Sequence, residues 1–186
     1  MRIYRRRLPH RDVPGVPVFV TWRLWGSLPA ERVFPNEDLK SGAAFVAFDR
    51  LLDTARTGPR YLRQPAIAAV VVEQIRQIGE LKLASLHAFV VMPNHVHLLC
   101  TPRAPLPNVV RKMKGPTALR ANRLLGFAGE PFWQPEYFDR MVRNDSEFAR
   151  IRHYIEWNPV KAALVHRPEE FPWSSAYSGD AVSWRD

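Results

Sequence analysis

Hydrophobic and polar positions alternate with a period of two near the N-terminus. Val18, Val20, Trp22 and Leu24 interleave with Phe19, Thr21, Arg23 and Trp25. Successive side chains of a strand point to opposite faces, so this stretch is predicted as a strand, closed by Gly26 and Ser27. The period then lengthens. Phe45, Phe48, Leu51, Leu52 and Ala55 recur at helical spacing and predict a helix over 38–56, broken at Thr57-Gly58-Pro59-Arg60. Ile67, Val70, Val71, Ile75 and Ile78 predict a second over 65–80. Two apolar runs follow, 83–92 and 95–101, joined by Pro93-Asn94, which is turn chemistry.

Beyond them, "NVVRKMKGPTALRANRLLG" is a basic helical stretch ending at Gly126, with Gly115-Pro116 expected to kink or divide it. Residues 133–142 are rich in aromatic and β-branched side chains and predict a strand. Asn144, with Glu147 three residues on, caps a helix from Asp145 to about Trp157, with Phe148, Ile151 and Ile155 as its buried stripe and Pro159 as its stop. The order strand, helices, strand, strand, helix, strand, helix predicts an α+β fold. The expected form is a ferredoxin-like sandwich, an antiparallel sheet with helices packed on one face. The 186 residues suit one domain. It would comprise a basic arm over 1–16, a core over about 17–165 and an aromatic, turn-rich tail over 166–186.

Composition narrows the class. No apolar run reaches the roughly 20 residues of a membrane helix, and no apolar segment follows the basic N-terminus as it would in a secretory signal. One cysteine, Cys100, excludes an internal disulfide framework and a multi-cysteine zinc site, and fits a reduced, cytoplasmic setting. Lys and Arg number 27 against 18 acids, a net charge of +9, which points towards a nucleic-acid partner.

The candidate chemistry lies in "HAFVVMPNHVHLLC", residues 87–100. On a strand His95 and His97 share a face while Val96 points the other way. Two neutral imidazoles so placed can hold a divalent metal from one side and leave the other open. They are equally compatible with structural histidines. On the last helix, Tyr154 and Asn158 are four residues apart and share a face. Tyr154 could attack phosphate or simply pack. Asn158 could ligate a metal or cap the helix before Pro159.

Two motifs in this order, "VVMPNHVHLL" (90–99) and "YIEWNPVKAALV" (154–165), resemble those of single-tyrosine HUH transposases of the IS200-like kind. The nearest resemblance is to the REP-associated tyrosine transposases. "FVTWRLWGSLP", "LLDTARTGP", "PFWQPEYFDRMVR" and "FPWSSA" extend it over roughly 17–177. The resemblance implies a metal-dependent single-stranded DNA endonuclease and strand transferase, cutting at or near hairpin-forming DNA through a 5′-phosphotyrosine. It makes Tyr154 the nucleophile, His95 and His97 metal ligands, and Asn158 the third polar ligand, with Mg²⁺ or Mn²⁺ as cofactor and no nucleotide. Candidate DNA contacts are Arg5, Arg6, Arg7, Arg111, Lys112, Lys114, Arg120 and Trp133. The implied location is the cytoplasm, at the nucleoid. Monomer and homodimer both stay open. Ala163 stands where the family more often has glycine, and Pro135 is odd within a strand. A hairpin-binding protein without cleavage is the alternative on the same fold. An unrelated metallohydrolase would need acidic ligands near the histidines, and residues 85–101 hold none.

Overall fold

A computed structural model of the protein describes residues 2–5, 9–12, 14–28, 50–52 and 58–179. Where the sequence suggests only a basic arm, β1 (Arg2–Arg5) and β2 (Pro9–Asp12) pair antiparallel as a small separate sheet. The main sheet contains β3 (Val18–Arg23), β4 (Ala84–Val91), β5 (His95–Pro102) and β6 (Phe138–Met141). Its order is β4-β5-β3-β6, with every neighbour antiparallel. Helix α1 (Pro65–Glu80) links β3 to β4, α2 (Leu106–Leu125) links β5 to β6, and α3 (Asp145–Lys161) follows. This is the βαββαβ plan of the ferredoxin-like sandwich, the α+β class read from the pattern. The helix expected over 38–56 lies mostly outside the described residues. Residues 50–52 are helical and Leu52 is buried.

Strand alternation divides the interior into two cores. Val18, Val20, Trp22 and Leu24 of β3, with Val96, Leu98 and Cys100 of β5, pack beneath Ile67, Val71 and Ile75 of α1 and Val109 and Met113 of α2. Phe19, Val90, Leu99 and Phe138 form the opposite core, against Ile155, Phe148, Ile151 and Tyr154 of α3. The expectation of helices on one face therefore holds for α1 and α2 only. The other face is apolar as well, and α3 covers it.

Three boundaries differ from the pattern. Helix α2 runs unbroken through Gly115-Pro116. Pro116 has no N–H for the Lys112 carbonyl, and the Thr117 hydroxyl ties the same turn together by donating to the carbonyls of Met113 (2.6 Å) and Lys114 (3.1 Å). Helix α3 continues past Pro159 to Lys161. The strand predicted over 133–142 shrinks to β6, with Trp133 making one isolated bridge to Leu24. Residues 134–137 leave the ladder around Pro135, which cannot donate to it.

Both ends of α3 are tightly specified. Asn144 Oδ1 accepts from the Glu147 N–H at 2.8 Å, as the capping pattern predicts. The Glu147 carboxylate reaches one residue further back than a capping box, to the Arg143 N–H (2.8 Å), and takes two bonds from Arg140 (2.6 and 3.1 Å). At the other end, Ala163 sits at φ +54°, with its N–H on Val160 O and the Leu164 N–H on Pro159 O. That pair of bonds is a Schellman motif, whose left-handed residue is normally glycine.

Two predictions follow from these ends. Burial pushes the Glu147 carboxyl up, but the Arg143 N–H and the bond and charge of Arg140, with the charge of Arg143, outweigh it and hold its pKa below the ordinary value. A lowered carboxyl pKa stabilises the fold above the ordinary carboxylate range, and this is lost as pH falls through the folded-state value. Glu147→Gln should cost about 2 kcal/mol at neutral pH, with the gap to wild type closing in acid, read by urea unfolding at both pH values. Ala163→Gly should raise stability by up to about 1 kcal/mol, seen as a higher Tm.

Candidate active site

Strand β5 sets the site. Its register places His97 opposite Thr21 and His95 opposite Arg23 on β3. Both histidines are fully buried. The Asn94 amide donates from Nδ2 to Leu52 O (2.9 Å), which leaves its Oδ1 to accept from His95 Nδ1 (2.7 Å). His95 therefore carries its proton on Nδ1 and a lone pair on Nε2. His97 Nδ1 lies 2.7 Å from Thr21 Oγ1, which can accept in the same way. The two Nε2 atoms converge to 3.1 Å. That is close to the separation of two nitrogens bound at about 2.0–2.1 Å to one ion. An oxygen on the far nitrogen is also how metal-binding histidines are usually oriented. The pair thus fits a divalent cation. Among the described residues no three His, Cys, Asp or Glu gather around a common point, so a further ligand from among them would be of another type.

Helix α3 brings Tyr154 to the same place from the same chain. Its ring centroid is 5.8 Å from that of His97 and 6.4 Å, edge-on, from Phe19. Lys161 Nζ stands 4.7 Å over the Tyr154 ring, a cation–π contact that helps fix the ring. Asn158 is buried at 1 % exposure and lies inside α3; Ala162 is the C-cap. The capping role that the sequence leaves open for Asn158 is therefore filled by another residue. Cys100 faces the other core, its thiol pushed up to about 12 by burial, which removes it as a nucleophile. A surface hollow of about 480 Å³ beside Arg76, Lys82 and Arg103 contains none of these residues.

The expected DNA contacts divide. Arg6 and Arg7 lie outside the described residues, and Arg5 ends β1. Arg111 and Lys112 are exposed on α2, Arg111 bonding Asn108 (3.2 Å), and Arg120 pairs with Glu73 (2.7 Å) across to α1. Trp133 is not available to stack on a base. It is 6 % exposed, its indole N–H donates to Thr117 Oγ1 (2.9 Å), and it packs edge-on to Trp22 and Phe132. Lys114 donates to the carbonyls of Gln134 (2.6 Å) and Pro135 (2.8 Å), so it holds the segment that leaves the β6 ladder. Reading the sequence alone passed over Thr21, Asn94, Arg23 and Lys161. Thr21 and Arg23 share the polar phase of β3, but their pairing with β5 needs the register.

A family model described as "Transposase IS200 like" matches residues 59–158, just over half of the chain. The solved structure of a REP-associated tyrosine transposase bound to a REP hairpin is similar over 94 % of this chain and 82 % of that one, at 19 % identity and a TM-score of 0.52. A candidate transposase from Deinococcus radiodurans R1 is similar over 82 % of this chain and 95 % of that one, at 21 % identity and a TM-score of 0.39. No functionally curated protein matches the sequence.

The internal use of Lys114 separates it from its neighbours. Lys114→Met should lower the stability of the DNA-free protein by about 1–3 kcal/mol, since two carbonyls lose a charged donor. Lys112→Met should stay within about 0.5 kcal/mol of wild type. Thermal melts without DNA compare the two.

Proposed function

The chain belongs to the IS200-like transposase family, and from that premise we propose that it nicks and rejoins single-stranded DNA at or near hairpins through Tyr154. The observation that supports this most directly is the meeting, within one chain, of two converging imidazole Nε2 atoms and a tyrosine ring 5.8 Å from His97. The REP-hairpin complex of the structural relative supports hairpin DNA as the class of substrate.

In this reading His95, His97 and Asn158 would hold Mg²⁺ or Mn²⁺, which when bound would supply Lewis acidity to the scissile phosphate. Tyr154 Oη attacks phosphorus, the bond from phosphorus to the 3′ oxygen breaks, and the tyrosine proton passes through solvent to that oxygen. The products are a 5′-phosphotyrosine and a free 3′-OH. Lys161, over the ring, helps hold it in place by a cation–π contact. Reversal on another strand restores a phosphodiester without a nucleotide, because the phosphotyrosine keeps the bond energy. Arg111, Lys112 and Arg120 on α2, with the basic N-terminus, receive the backbone of the hairpin. Tyr154 and the two histidines meet within one chain, which favours cleavage by a monomer over a shared-site homodimer. The cytoplasm, at the nucleoid, follows from the substrate.

The test incubates the protein and Tyr154→Phe with labelled hairpin DNA from the flanks of its own gene, with and without Mn²⁺. A covalent protein–DNA band on a denaturing gel should require both the metal and Tyr154. Hairpin binding with no such band in any metal would replace this reading with that of a binding protein. Asn94→Ala and Thr21→Val should each weaken Mn²⁺ binding about 10–100-fold, measured by calorimetry, while leaving His95 and His97 in place.

A further inference from the structure

Arg23 is a buried cation with no counter-ion among the described residues. It is 5 % exposed, and strand alternation puts it on the face of Thr21 and Phe19, directly opposite His95. Nη1 donates to Ser27 Oγ at 3.1 Å, and Nε–H is buried with no acceptor. Among the described residues no carboxylate pairs with it, and burial alone pushes its pKa below the ordinary value. The surroundings fix its position. Ser27 is itself buried, and a side chain on Gly58 would meet Gly26 O at 2.8 Å and Ser27 Cα at 3.3 Å. The turn that holds Nη1 is thus clamped by a second turn.

A buried charge without a partner is costly to any fold. Ser27 is a neutral acceptor and does not neutralise it. Guanidinium presents Nε and a terminal nitrogen as a lateral fork that matches two oxygens of a phosphate. An anion is what this position lacks, and the neighbouring histidines are where the proposed reaction brings phosphates. His95, His97 and Lys161 add no negative charge to compete for it.

We propose that Arg23 is a substrate-binding residue whose guanidinium fork receives a phosphate of the DNA strand lying across His95 and His97. This rests on the proposed nuclease reading for its substrate, though not on cleavage itself. The free protein keeps an uncompensated charge, and the DNA backbone completes it.

The experiment uses the full chain in the Tyr154→Phe background, so that cleavage plays no part. The probe is hairpin DNA from the flanks of its own gene, with single phosphates replaced in turn by uncharged methylphosphonate. Arg23→Met should leave the DNA-free protein with an equal or higher Tm and weaken hairpin binding by about tenfold or more. One phosphate position should matter in the Arg23-intact protein and cease to matter in Arg23→Met. Equal methylphosphonate profiles in the two proteins would overturn the proposal. So would a lower Tm for Arg23→Met without DNA, which marks a structural arginine. Should that variant not fold, Arg23→Lys keeps the charge and removes the fork; it should show the same loss at one position, and its failure to fold would also count against the proposal. A wild-type protein that forms no covalent adduct but shows the Arg23-dependent position would sink the nuclease reading and leave this one standing.

Discussion

The register of β5 is the constraint on which the rest depends. Its even-numbered residues, Val96, Leu98 and Cys100, belong to the core under α1 and α2, while His95, His97 and Leu99 belong to the side covered by α3. A strand has no third option. A slip of one residue would drive both imidazoles into an aliphatic core and push Val96 and Leu98 towards Thr21 and Tyr154. The apolar burial of one face therefore aims the histidines on the other. Stability and site geometry are set by the same interleaving.

That coupling explains how two imidazoles can be fully buried. Each has an oxygen on Nδ1, from Asn94 and Thr21, so only the two Nε2 edges look into the site. Asn94 in turn leans on the Leu52 carbonyl. The orienting chain thus runs from the helical Leu52 carbonyl, through an amide, to a ring on β5. Arg23 and Lys161 surround the site with positive charge, which suits a polyanion.

Much of this is legible in the residues because it depends on short-range periodicity. The alternation at 18–25 and 95–101, the helical spacing at 65–80 and the Asn144 cap are local, and the structure follows them. The two histidines and Tyr154 stand out because polar groups interrupt apolar runs. What is not legible depends on pairing between distant segments. Trp133 reads equally as a DNA contact or as core, and the choice is made by its indole finding Thr117 sixteen residues back. Lys114 reads as one of several basic residues on a helix, but the residues around Pro135 leave two carbonyls within its reach. Pro116 reads as a kink or division and Pro159 as a stop or restart, yet both helices run on through them, with the Thr117 hydroxyl tying the turn at Pro116. The layer formed by α3 is not legible from element order, because it depends on the sheet being apolar on both faces.

The segment after α3 closes against the outer edge of β4. Val90 bridges Ser174, the Val91 N–H bonds Trp173 O, and Phe89 exchanges bonds with Ser175 through both backbone and hydroxyl. An open strand edge is a template for any extended chain. Here that template is already taken by the protein's own tail, so a second copy cannot lengthen the sheet at β4 without first peeling residues 173–175 away. Self-association by strand addition is thereby discouraged at β4, the edge farthest from β6. An assembly that leaves the tail in place would have to add strands elsewhere, as at β6, the other edge of the sheet.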